Sequence, residues 1–434
     1  MHLYKISVGQ TNFGADLELC PSKNLYTGLQ YFEREFGAAD SLEEDMLNLA
    51  SGVYAADLAV KRDERENFLR TIELTVEVVN FHAFERVKDK LSSALLILSR
   101  DNWQIKFIQK LGTPVSNFQW QKRDGAVLLF SGGIDSMCAA SDFISKKSDL
   151  VLVSHNTHAN KVVDKSQRNV HNALESFYKK KVRHVHIKVY GRKSKTHRFP
   201  EGQRRENTQR TRSFLFLSLA ALITRRCGFN KVLYMAENGQ FAIHLPLNSA
   251  RVGPFSTHTA DPNFVMHARD IFRTILSNPD FEISNPYLYK TKAEVFAVMP
   301  KELQKLVHNS ASCWMISHVP QEKHCGICIP CISRRIAIEF NGLKVDEYHN
   351  DIFNSGINSL ADDDIGKRNL IDYLEFITKF KKVTAQNKDE LIFEFPELIN
   401  PAIDEVQALK LYERVSQQSF KVFQNYPKIL SIIK

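Results

Sequence analysis

Residues 126–130, AVLLF, form a continuous apolar run that ends directly in Ser131, Gly132, Gly133, Ile134, Asp135 and Ser136. A short run that is apolar on both faces reads as a strand buried inside a parallel sheet, and parallel strands need crossover connections. The chain keeps to that rhythm. A helix is expected from about residue 136, then LVLVSH at 150–155, a helical span at 162–181, HVHIKV at 184–189, an apolar helix at 208–226 and KVLYMAEN at 231–238. Strand and helix in alternation predict an α/β domain with a doubly wound parallel sheet.

In such a sheet, ligands bind beyond the carboxyl ends of the strands, where the paired glycines let a phosphate approach the backbone closely. The helix that follows turns its unpaired N–H groups and the positive end of its dipole to that phosphate. Ser131 and Ser136 can add hydroxyl donors, and Asp135 can hold magnesium or orient the loop. A plain glycine-serine turn is the alternative. The lysine of a GxxxxGK[ST] loop is missing, which argues against transfer of the γ phosphate. SGGIDS resembles the SGGxDS signature of PP-loop enzymes. That resemblance implies cleavage of ATP between the α and β phosphates, with an adenylated intermediate passed to a nucleophile.

Cys313, Cys325, Cys328 and Cys331 give the spacing C-x11-C-x2-C-x2-C. Four thiolates close a tetrahedral Zn2+ site with no position left for water, so the metal is expected to be structural. An iron-sulfur cluster and unligated cysteines are the alternatives, and His324 is expected beside the site without being a ligand. Cys20, Cys138 and Cys227 are scattered singly, the pattern of a reduced compartment.

Three zones follow from pattern and from a length of 434 residues, too long for one ordinary core. Residues 1–121 read as a small α+β domain with a mainly antiparallel sheet, built from LYKISV, FLRTIELTVEVVNF, a helix at 84–98 and WQIKFIQK. Residues 122–340 form the α/β domain with the metal cluster, and residues 341–434 a helical C-terminal region that packs on the core or on a partner. No apolar stretch of membrane-spanning length or signal-peptide pattern is visible, so a cytoplasmic protein with no membrane role is expected. A formal charge of +9 suits an anionic ligand. Residues 179–212 hold two glutamates among many lysines and arginines. This stretch reads either as a solvated loop or as a cover for phosphates or nucleic acid, although stacking aromatics are nearly absent from it.

Phosphate loop and cysteine cluster together resemble the 7-cyano-7-deazaguanine synthase (QueC) family. TRSFLFLSLA at 211–220 and NPYLYKTKAEV at 285–295 are similar to further segments of that family. The resemblance implies that Arg212 contacts ATP phosphates. Lys290 and Lys292 read as nucleotide contacts or as a solvated helix start. Ser213 stands where the family has asparagine, SHNTHANKVV replaces a tyrosine-glycine-glutamine stretch, and the loop after KVLYMAEN is long and divergent. Specificity is expected in that loop. Glu237 and Asn238 would meet the polar edge of a 7-deazaguanine, while Ser256, Thr257, His258 and Thr259 would close over the base or the acyl phosphate. The extra N- and C-terminal regions resemble the enlarged members found in antiviral defence operons, QatC and the CBASS QueC-like protein. For that branch the resemblance implies coupling of the deazaguanine acid to the amine of an operon-encoded protein. Nitrile synthesis from ammonia, a tRNA-modifying PP-loop enzyme and a non-catalytic ATP sensor are the competing readings.

Overall fold

A computed structural model describes residues 2–10, 14–115, 120–121, 123–146, 148–156, 161–229, 232–234, 236–247, 260–316, 319, 324–344, 348–355, 357 and 360–433. Its strands, in chain order, are β1 (Leu3–Val8), β2 (Leu17–Leu19), β3 (Leu25–Tyr26), β4 (Thr71–Val78), β5 (Asn102–Gln109), β6 (Ala126–Leu129), β7 (Leu150–Asn156), β8 (Arg183–Lys188), β9 (Tyr190–Gly191), β10 (Val232–Tyr234) and β11 (Glu282–Ser284). Five of them form the expected parallel sheet, in the order β11-β10-β6-β7-β8. The chain runs outward from β6 through β7 to β8, then returns to the other side of β6 for β10 and β11. That reversal opens a crevice at the carboxyl ends of β6 and β10. Helices Ile134–Ser145, Lys161–Tyr178 and Arg212–Cys227 follow β6, β7 and the β8–β9 segment.

The N-terminal sheet corrects one expectation. Its order is β2-β1-β4-β5 and every pairing is parallel rather than antiparallel. The reason lies in the connections. Helices Leu29–Phe36 and Ser41–Ala59 stand between β3 and β4, and Phe81–Glu85 and Lys88–Ser99 stand between β4 and β5. Each crossover carries the chain back to the end from which it started, so successive long strands point the same way.

Ser41–Ala59 holds the two sheets together. Asp40 and Glu43 cap it with a reciprocal capping box, and most of its residues are buried between β4 and Arg212–Cys227. One continuous apolar core therefore includes Ile6, Val53 and Leu74 as well as Val127, Leu219 and Ile283. A second core joins Ile243, Ile332 and Ile336 to Leu370, Tyr412 and Phe423. The C-terminal helices thus pack on the chain's own α/β region. Among the described residues no helix is long and apolar enough to cross a membrane.

Ionic contacts reinforce this junction. Arg70 Nη2 donates to Asp57 Oδ1 at 2.6 Å and to Asp101 Oδ2 at 2.5 Å, all three groups being buried. Asp57 Oδ2 also accepts from Thr211 N at 2.9 Å, tying Ser41–Ala59 to the start of Arg212–Cys227. Part of the basic stretch is therefore interior. Glu206 and Arg210 are buried, and Glu206 Oε2 accepts from Arg62 N at 3.0 Å. Burial opposes the Asp57 charge, but Arg70 and Arg62 outweigh it and hold the carboxyl below the usual range. Its contribution is present above the unfolded carboxylate pKa and is lost as pH falls through the lower folded value.

Arg70→Met would leave the buried carboxylates of Asp57 and Asp101 with Arg62 in place of two cations, so it should lower stability by about 3 kcal/mol. Denaturant unfolding of the variant and the wild type at neutral pH measures this directly. A change under about 1 kcal/mol would show that the network is not a structural tie.

Candidate active site and metal centre

The loop after β6 is held from two sides. Gly132 has φ of +77°, and a Cβ there would lie 2.7 Å from Gln167 N, so the close approach of Lys161–Tyr178 requires glycine. Its carbonyl accepts from Ser166 Oγ at 2.8 Å and from Ala311 N at 3.0 Å. Ser131 Oγ lies 3.3 Å from Ser136 Oγ and accepts from Gly133 N at 3.3 Å. Ser312 Oγ accepts from Ile134 N at 3.4 Å. Hydroxyls and helix-start N–H groups thus converge at the mouth of Ile134–Ser145, the arrangement that receives an anion.

Behind the loop stands a charged cluster. Lys292 Nζ donates to Asp135 Oδ2 at 2.5 Å, and both side chains are largely buried. Lys292 is the first residue of Lys292–Phe296, whose start is fixed by a reciprocal cap between Thr291 and Glu294. Arg414 Nε, on Glu405–Phe423, donates to Glu294 Oε1 at 2.7 Å, so the C-terminal region braces the lysine's helix. Lys290, by contrast, is exposed.

Glu237 and Asn238 follow β10, next to β6. Asn238 Nδ2 donates to Asp135 Oδ2 at 3.4 Å and to Glu237 Oε1 at 3.2 Å. Asn285, just after β11, donates through Nδ2 to the Glu237 carbonyl at 2.9 Å. Burial and the neighbouring Asp135 charge, offset in part by Lys292, push the Glu237 carboxyl well above its ordinary range. Asp135 Oδ1 and Asn238 Oδ1 are buried and accept no hydrogen bond among the described residues. Two unengaged oxygens beside a phosphate loop fit a hard divalent cation such as Mg2+.

Ligand atoms of Cys313, Cys325, Cys328 and Cys331 all lie within 4.8 Å of one another, with Cys325 Sγ 3.8 Å from Cys331 Sγ and Cys328 Sγ 4.0 Å from Cys313 Sγ. A tetrahedron with Zn–S bonds of about 2.3 Å has edges of about 3.8 Å, so the dimensions suit a single zinc ion. Backbone N–H groups of Cys325 and Met315 point at Cys313 Sγ, and that of Cys328 at Cys325 Sγ. Gly326 has φ of +81°, and a Cβ there would lie 1.9 Å from Asn350 O. His324 is not in the cluster. Its Nε2 accepts from Ser312 N at 3.2 Å, and buried Arg334 donates to Ser310 Oγ at 2.8 Å. The segment that enters the metal site is therefore the one that lies against the phosphate loop.

The structure brings Ser131, Gly132, Gly133, Ile134, Asp135, Ser136, Glu237 and Asn238 to one crevice. Arg212 opens its helix but is exposed, with its guanidinium 5.4 Å from the Phe216 ring centroid, and no contact among the described residues joins it to the loop. Ser256, Thr257, His258 and Thr259 lie outside the described residues. Ala311, Ser312, Arg334, Ser166 and Asn285 were not anticipated. Ser312, adjacent to Cys313, and Asn285, which opens NPYLYKTKAEV, were the two with a sequence signal.

Cys328→Ser should release about one equivalent of zinc per chain and lower the soluble yield, because a structural thiolate site contributes folding free energy directly. Metal analysis and thermal melting check both. A variant with unchanged metal content and melting temperature would remove the cluster from the account.

Comparison with known proteins agrees with this geometry. No curated protein matches the chain. A family model described as queuosine biosynthesis protein QueC matches residues 125–342, half of the chain, from the strand before the phosphate loop to the helix after the cysteines. This chain therefore belongs to the QueC family of ATP-using PP-loop proteins.

Proposed function

We propose that the protein adenylates 7-carboxy-7-deazaguanine with ATP and transfers the acyl group to a nitrogen nucleophile, the amine of a partner protein encoded nearby. The observation that carries this reading is the meeting of Asp135, Lys292, Glu237 and Asn238 at the adjacent carboxyl ends of β6 and β10, directly behind the phosphate loop. The loop N–H groups with Ser131 and Ser136 hold the pyrophosphate end of ATP, and Lys292 neutralises the charge that grows there as the bond to the α phosphorus breaks. Bound at Asp135 and Asn238, Mg2+ would supply further charge neutralisation on the phosphates.

In the first step a carboxylate oxygen of the substrate attacks the α phosphorus and pyrophosphate departs. In the second, the nitrogen attacks the acyl carbon, AMP departs, and the nitrogen loses a proton. Glu237 is suited to the base edge. Held protonated in part at neutral pH, it can donate to or accept from a guanine-like ring, and a buried mismatch there costs about 1–3 kcal/mol. A protein acceptor is favoured by the additional N- and C-terminal regions beyond residues 125–342, and the resemblance to enlarged defence-operon members supports a role in antiviral defence.

Lys292→Met should leave a folded protein whose ATP turnover falls about 10²-fold. Glu237→Gln should instead raise KM for the deazaguanine acid about tenfold or more, at nearly unchanged ATP affinity. Steady-state kinetics with each substrate varied separates the two, and equal use of the acid by Glu237→Gln would remove that residue from the base site. The acceptor is tested by intact mass spectrometry of neighbouring gene products incubated with enzyme, ATP and the acid. A mass gain equal to the acyl group supports protein conjugation. A nitrile formed only when ammonia is added would overturn it.

A further inference from the structure

Outside the active site, three metal-ligating side chains converge where the N-terminal sheet meets the basic stretch. Glu18 stands in β2, Cys20 directly follows it, and His197 belongs to the turn after β9. Their ligand atoms all lie within 4.8 Å of one another. Cys20 is 6% exposed, and no hydrogen bond among the described residues engages its sulfur, whereas Glu18 and His197 are half-buried. We infer that Glu18, Cys20 and His197 form a second metal site, which takes a zinc-type divalent cation with water as the fourth ligand.

Several features fix the three residues independently of any ion. Asn24 Oδ1 accepts from Cys20 N at 2.7 Å, while Asn24 Nδ2 donates to Glu18 O at 2.7 Å and to Arg198 O at 2.8 Å. One amide thus binds both segments that supply ligands. Strands β3 and β9 pair antiparallel beside it, with Tyr26 stacked on Tyr190 at 4.3 Å between centroids. His197 is oriented by Thr196 Oγ1, 2.8 Å from its Nδ1, and by a turn in which Ser194 Oγ accepts from His197 N at 3.1 Å. Such partners outside the ligand set are what hold a ligating ring in place.

Charge and chemistry agree with the geometry. A thiolate, a carboxylate and a neutral imidazole balance a divalent cation, so the partly buried site would be electroneutral. Mixed sulfur, nitrogen and oxygen donors suit zinc and do not suit Mg2+ or Ca2+. Ligand atoms around tetrahedral zinc sit about 3.3–3.8 Å apart, so loading requires shifts of no more than on the order of 1 Å. The thiol proton passes to solvent on binding. The ion would staple the exposed residues Arg192, Lys193, Lys195 and Arg198 to the N-terminal sheet.

The test uses the full chain purified with zinc. His197→Ala should contain about one equivalent of metal less than the wild type, and tryptic cleavage after Lys193 and Lys195 should be about tenfold faster. Glu18→Gln keeps size and hydrogen-bonding capacity, and should bind the same ion about tenfold or more weakly in a chelator competition even if His197→Ala is insoluble. With Co2+ at a concentration that loads the wild type and leaves the weakened site of either variant largely empty, the spectrum of the wild type minus that of the variant should show a sulfur-to-metal band from one thiolate. Equal metal content, equal chelator competition or a flat cobalt difference spectrum would overturn the proposal. Since Cys313, Cys325, Cys328 and Cys331 are intact in these variants, the result is independent of the first metal centre.

Discussion

The Gly132 carbonyl, held by Ser166 Oγ and by Ala311 N, is the contact on which the active site depends. It fixes a left-handed glycine between two segments that are distant in sequence, and so sets the direction in which Ile134–Ser145 presents its N–H groups. Ala311 leads through Ser312 into Cys313. One short piece of chain therefore lies against the phosphate loop at one end and enters the cysteine cluster at the other, with Arg334 buried beneath it. A zinc ion held by the four cysteines would anchor the backbone that lies against the phosphate loop.

The two flanking regions pack on different parts of the α/β region. Ser41–Ala59 is packed against Arg212–Cys227, and Glu43, fully buried, accepts from Arg225 Nη1 at 2.5 Å and Arg226 Nε at 2.6 Å. Cutting such pairs would strand a buried charge, so the N-terminal sheet is bound to the catalytic sheet by more than apolar area. In the C-terminal region, Arg414 reaches Glu294, the capping partner of Thr291, and so acts on the residue after which Lys292 stands. The helical C-terminus supports the lysine.

Local chemistry was legible in the sequence, and tertiary placement was not. SGGIDS after AVLLF revealed the loop because strand, glycine turn and helix are encoded within a dozen residues, and the close spacing of Cys325, Cys328 and Cys331 revealed the cysteine cluster for the same reason. Ser41–Ala59 escaped notice because a helix buried on nearly every side carries no amphipathic stripe. The N-terminal strands were read as antiparallel because that unseen helix is what carries the chain back to make them parallel. Lys292 was ambiguous on paper, since a lysine at a helix start is usually solvated, and only the return of β11 beside β10 brings it to Asp135. Arg212 shows the converse. Its match to a family segment placed it correctly at a helix start, but the helix start stands away from the loop contacts.

If this crevice grips pyrophosphate and cleaves ATP on its α side, as proposed, the nucleotide products identify it. Full-length protein incubated with ATP, Mg2+ and 7-carboxy-7-deazaguanine should yield AMP and pyrophosphate in equal amounts, read by anion-exchange chromatography or phosphorus NMR. ADP and orthophosphate as the products would contradict the account.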